Sequence, residues 1–156
     1  MTSALRALAK AQGPAVPLSA VPHAARAYDY ALGGVHHFEA DRELWREVEK
    51  ALPGAGLIAR ANRAFVGRAV RHLADQGVRQ FLDLGCGLPT VGSVHEAAPQ
   101  AAVVYVDIDP VVVELSQVLL AGNPRVAAVP GDLRYPAATL GFLFRYCRMA
   151  KTVPLR

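Results

Sequence analysis

Three carboxylates stand at or near the ends of short apolar runs. Asp83 lies in Gln80-Phe81-Leu82-Asp83-Leu84, directly ahead of Gly85-Cys86-Gly87. Asp107 closes Val103-Val104-Tyr105-Val106, twenty residues past Gly87. Asp132 follows Val126-Ala127-Ala128-Val129-Pro130-Gly131, twenty-five residues after Asp107. A strand, a glycine turn, a helix and a strand ending in an acid make a nucleoside-binding half-site. Gly85 and Gly87 let the backbone approach a ligand, because no side chain intervenes and positive φ is open to them. Asp107, with Ile108 beside it, is placed to accept hydrogen bonds from both ribose hydroxyls. Asp132 is placed to accept from an adenine amino group, and the Leu133 N–H to pair with a ring nitrogen. Any one such acid also serves as a helix cap or turn residue, so the weight rests on the three together.

The glycine pattern selects among nucleosides. A dinucleotide fold places a small residue at the third glycine position, where this chain has Thr90. Asp83 would oppose a pyrophosphate, since two negative groups would face each other. An acid there suits a ligand with a positive amino group and no phosphate. S-adenosylmethionine fits that description better than a nicotinamide dinucleotide.

Hydrophobic spacing supplies the elements that hold these residues. Short helices are expected at 24–32 and 39–52, the second with Phe38, Leu44, Trp45, Val48 and Leu52 on one face. A long helix is expected at 58–76, with Ile58, Ala61, Phe65, Ala69 and Leu73 on one face and Gly77 as its stop. A βαβαβ unit follows: strands at 80–84, 103–107 and 126–130, helices at 90–98 and 110–121. Right-handed crossovers give a parallel sheet in the order third, second, first.

Composition narrows the classes. The chain has 156 residues, 53% of them apolar, enough for one packed domain. No run of eighteen apolar residues exists, so no membrane span is expected. The Ala/Pro-rich stretch 1–22 lacks a continuous apolar core and reads as a flexible arm, not a signal peptide. Residues 1–140 are neutral, and the net +4 comes from Arg145, Arg148, Lys151 and Arg156. That placement argues against a nucleic-acid face. Two cysteines, Cys86 and Cys147, make no disulfide framework, which suits the cytoplasm. Adjacent His36 and His37 point apart on most backbones, so no metal site is expected.

Several stretches carry a family resemblance. They are Ala25-Arg26-Ala27-Tyr28-Asp29-Tyr30-Ala31-Leu32-Gly33-Gly34, Ala40-Asp41-Arg42-Glu43, Arg60-Ala61-Asn62-Arg63-Ala64-Phe65, Gly77 to Gly85, Val103 to Pro110 and Gly131 to Pro136. Over about residues 21–140 the chain resembles the actinomycete S-adenosylmethionine-dependent methyltransferases once known as a domain of unknown function. The resemblance implies a Rossmann-like class I methyltransferase fold, a three-layer parallel sheet with an amino-terminal helical cap. It divides the chain into a cap at 23–76, a cofactor half at 77–140 and a basic tail at 141–156. It departs at Val35-His36-His37, where the family has a charged residue and Asp-Asn. It stops near Leu140, so the chain reads as truncated after the third strand. The exposed sheet edge then invites self-association.

Arg26, Tyr28, Gly33 and Gly34 are expected to form a lid over the cofactor, together with Asp29 and Tyr30. The tyrosine rings could face a sulfonium by cation–π attraction, or simply pack the cap onto the sheet. Asn62, Arg63 and Arg68 are expected to brace the cap. The implied activity is methyl transfer to a small-molecule acceptor, with a non-catalytic cofactor-binding remnant as the alternative. No catalytic base stands out.

Overall fold

The computed structural model describes residues 19–139 and 141. Residues 1–18, 140 and 142–156 lie outside the described residues, and with them most of the arm expected at 1–22 and of the tail expected at 141–156. Helices α1 (Ala24–Ala31), α2 (Glu39–Ala51) and α3 (Ala55–Asp75) lead into β1 (Gln80–Leu84), α4 (Val94–Ala97), β2 (Ala102–Asp107), α5 (Pro110–Leu119) and β3 (Val126–Pro130). The strands form one parallel sheet in the order β1-β2-β3. Phe81 pairs with Val103, and Val103 with Val126, so the three carboxyl ends lie level.

The sheet has two unlike faces. One face carries Val103, Tyr105 and Ala128, which pack with Val70 of α3, Val94 of α4 and Leu120 into the main core. On the other face Val106 and Val129 are buried, yet Leu82 and Leu84 of β1 stay 47% and 50% exposed. Among the described residues β1 pairs with β2 alone.

The cap is knitted by one carboxylate. Asp41, fully buried, accepts from the backbone N–H groups of His23 and Phe38 and from Arg26 Nε, each at 2.8 Å. Its bond to Phe38 N–H satisfies one of the open donors at the start of α2. The Arg26 guanidinium also lies over the Phe38 ring.

Two expectations for the helices need correction. The helix expected at 90–98 is a single turn, Val94–Ala97, because the chain first reverses at Gly92, whose φ is +66°. On α3 the apolar face read from spacing points outward: Ile58, Phe65 and Leu73 are exposed. The buried face is made of Ala55, Gly56, Ala59, Gly67 and Val70. Small residues there let α3 lie close against its neighbours, and close approach outweighs the transfer of larger side chains.

Candidate functional site

The carboxyl ends of the strands bring the glycine turn against Asp107 and Leu133. Gly85 and Gly87 have φ of +67° and +59°, so both use the region that disfavours other residues. The Gly85 and Cys86 N–H groups bond to Val106 C=O at 2.8 and 3.1 Å, which folds the turn over the end of β2. Gly87 N–H then donates to Asp107 Oδ2 at 2.9 Å, and Asp109 N–H donates to Asp107 Oδ1 at 3.0 Å. Each carboxylate oxygen keeps a second lone pair for a ligand. A Cβ at Gly85 would stand 4.0 Å from Leu133 Cδ1, so the Leu133 side chain after β3 faces the turn across a gap about one methyl group wide.

Ile108 and Leu133 flank these polar groups and are 57% and 49% exposed. Exposed apolar side chains beside a carboxylate at strand ends form walls suited to a flat heterocycle. The Asp132 carboxylate is held by its neighbour Arg134, at 2.7 to 3.0 Å. The hydrogen bond from Arg134 keeps its carboxyl below the usual range.

Asp83 has a different environment. Burial pushes its carboxyl above the usual range; Arg63 partly offsets this and Asp107 adds to it. Among the described residues no group donates a hydrogen bond to it. A half-buried carboxylate without a donor is matched by a ligand cation. Cys86, next in the turn, is pushed up to about 12 by burial and by Asp107 and Asp83, so it is a packed thiol and not a nucleophile.

The cap reaches the site through two ties that the spacing of residues does not reveal. His23 Nε2 lies 2.8 Å from Asp109 Oδ2, joining the start of α1 to the cap of α5. Burial raises the Asp109 carboxyl, but hydrogen bonds from His23 and Val111 outweigh it and leave it lowered. Thr90 Oγ1 donates to Asp29 Oδ1 at 2.6 Å, joining the loop after the glycine turn to α1. Asp29 is 2% exposed and also accepts from His36 N–H at 2.8 Å.

The lid residues have separate fates. Arg26 is 1% exposed and paired with Asp41, so it braces the cap from within. Gly34 follows the φ +81° residue Gly33 and lies against the Asp29 carboxylate. Tyr28 donates to Ala59 C=O at 3.2 Å, meets Trp45 edge-on and has the Arg63 guanidinium 5.7 Å from its ring centre. Asn62 Nδ2 reaches the Tyr28 hydroxyl at 3.4 Å, so Asn62 and Arg63 tie α3 to α1 within the cap. Among the described residues no group of three metal-ligating side chains occurs, and no helix is long and apolar enough to cross a membrane.

The fold recurs in known proteins. The S-adenosyl methyltransferase family matches residues 12–145. A crystal structure of a candidate methyltransferase from Thermobifida fusca YX is 42% identical, with a TM-score of 0.71 over 86% of this chain and 51% of its own. A DUF574 family protein from Streptomyces avermitilis MA-4680 is 45% identical, with a TM-score of 0.68 over 79% of this chain and 50% of its own. The chain thus spans about half the length of these structures. No curated protein matches it. With the family matched across most of the chain and its fold repeated in two relatives, this protein belongs to the S-adenosyl methyltransferase family, whose cofactor is S-adenosylmethionine.

Proposed function

We propose that this chain binds S-adenosylmethionine at the carboxyl ends of β1, β2 and β3 and serves methyl transfer to a small-molecule acceptor. The observation that carries this reading is Asp83: a half-buried carboxylate, raised by burial, with no hydrogen-bond donor among the described residues. An α-ammonium beside Asp83 supplies the missing charge. Asp107 accepts from the ribose hydroxyls with the lone pairs that Gly87 and Asp109 leave open. Ile108 and Leu133 enclose the adenine, and Asp132 accepts from its amino group. Gly85 and Gly87 keep the turn low enough for close approach. Tyr28 and the Gly33-Gly34 loop bound the site on the cap side.

The bound cofactor supplies an already activated methyl group. The protein's contribution is then alignment of the acceptor and exclusion of water. Residues 23–76 act as the cap and 77–140 as the cofactor half. A second reading, a cofactor-binding module without turnover, is favoured by the β1 edge. Leu82 and Leu84 lie half-exposed there, where the other strands carry buried residues on that face.

Calorimetric titration with S-adenosylmethionine and S-adenosylhomocysteine tests the reading. Saturable one-to-one binding supports the site. A folded, soluble sample that binds neither refutes it.

A further inference from the structure

A groove of about 690 Å³ runs between α3 and the segment 91–97, outside the residues assigned to the cofactor. Its walls carry Arg60, Arg63, Arg68 and Arg71, and its one carboxylate is Glu96. Glu96 is engaged, accepting from Gly92 N–H at 3.0 Å. Among the described residues no carboxylate lies within ion-pair distance of the four guanidiniums.

Three of these arginines rest on glycines. A Cβ at Gly56 would stand 3.3 Å from Arg60 Nη1, one at Gly67 3.3 Å from Arg71 Nη1, and one at Gly92 3.1 Å from Arg63 Cγ. Missing side chains at these positions let the arginines lie along the groove wall. Arg60 is fixed further by donating to Ala31 C=O at 3.2 Å, and Arg63 by the Tyr28 ring. Guanidiniums held in place lose less freedom on meeting a ligand. Planar forks without carboxylate partners match a carboxylate or a phosphate. Arg63 also links the groove to the cofactor side, since its charge acts on Asp83 and Cys86.

We propose that this groove holds the anionic group, a carboxylate or a phosphate, of the small-molecule methyl acceptor. The inference rests on the methyltransferase reading for the word acceptor, and on the groove alone for the anion.

The test is an NMR titration of the full chain at fixed ionic strength, following the arginine Nε–Hε signals. Inorganic phosphate and succinate are the two probes. Saturable shifts at Arg63, Arg68 and Arg71 are expected, with the stronger probe naming the anion. Arg68→Gln with Arg71→Gln should weaken that binding about tenfold or more. Arg46→Gln, on α2 and paired with Glu39, should leave it unchanged. Non-saturating drift shared by Arg46, or a double variant that binds like the parent, overturns the inference. S-adenosylhomocysteine is titrated into the same sample. Its binding without anion binding sinks the groove and leaves the cofactor site. Anion binding without it keeps the anion site and removes the acceptor role.

Discussion

Gly34 is a glycine because of Asp29. A Cβ at Gly34 would stand 2.1 Å from Asp29 Oδ1, inside the buried carboxylate that also holds Thr90 and His36. The Gly33-Gly34 pair therefore lets the cap wrap its own acid, whatever it does toward a ligand. Gly34→Ala is expected to cost about 1–3 kcal/mol, as overpacking of a filled site does. Made in an Asp29→Ala background, the same change should cost clearly less, because the clashing atoms are gone. Urea denaturation of the four chains measures the coupling. Equal cost in both backgrounds would show that the glycine answers to something else.

Asp83 sets stability against binding. Its carboxyl is raised by burial, so between the unfolded and the folded value the folded chain holds a proton there that the unfolded chain has released. For such a group stability falls as pH rises from the ordinary aspartate range through the raised value. Asp83→Asn removes the charge and that fall. The variant is expected to melt higher than the parent at pH 7 and to lose cofactor binding. A lower melting temperature with binding intact would contradict both halves of the argument.

Asp107 has two structural bonds to lose as well as a ligand. Asp107→Ala strands the Gly87 and Asp109 N–H groups, at a cost of about 1–3 kcal/mol if water does not replace the carboxylate. Asp107→Asn keeps one acceptor oxygen and should melt closer to the parent. Both variants should bind S-adenosylhomocysteine at least about tenfold more weakly, since the ribose hydroxyls lose a charged acceptor. Parent-like affinity in the Asn variant would put the ribose elsewhere.

How much of this could be read in the chain depends on sequence distance. The strands Gln80–Leu84 and Val126–Pro130 and the sheet order follow from apolar runs and right-handed crossovers. The cap of α5 was equally plain, since Asp109 before Pro110 is a local signal, and Asp109 does accept from Val111 N–H. Local rules fail where the partner is far away. Thr90 and Asp29 are 61 residues apart, and His23 and Asp109 are 86 apart. Nothing in the spacing of those residues announces a pairing. Arg63 and Arg68 read as braces of the cap, and their gathering with Arg60 and Arg71 into a cationic groove is hidden for a related reason: residues 1–140 are neutral overall, so the unpaired charge on α3 shows only when the helix is built. On α3 the largest apolar side chains misled, because glycine and alanine form the contact face.

The His23–Asp109 tie predicts a pH response of definite sign. The Asp109 carboxyl is lowered, with hydrogen bonds from His23 and Val111 overcoming burial. A depressed acid contributes stability above its unfolded value and loses it as pH falls through the folded value. The loss therefore falls roughly below pH 4. His23→Ala removes the larger of those two bonds and should flatten stability in that range, measured by thermal melts from pH 6 downward. A His23→Ala chain with the parent's full acid sensitivity would assign the effect to other carboxylates.

The β1 edge, open among the described residues, predicts association. β1 has one neighbouring strand among the described residues, and Leu82 and Leu84 beside that edge are 47% and 50% exposed. Unpaired backbone groups next to apolar side chains form a template for another strand. Sedimentation equilibrium is expected to show a mass that rises with protein concentration. Leu82→Lys should lower it toward the monomer, since a charged side chain at an edge must be desolvated before a second strand can pair. The substitution replaces a half-exposed side chain, so melting should shift little and folding loss would not mimic the effect. A parent chain that stays monomeric at every concentration would show that this edge does not join copies. Association that Leu82→Lys leaves unchanged would move the contact to another surface, with the exposed Ile58 and Phe65 face of α3 the next to alter.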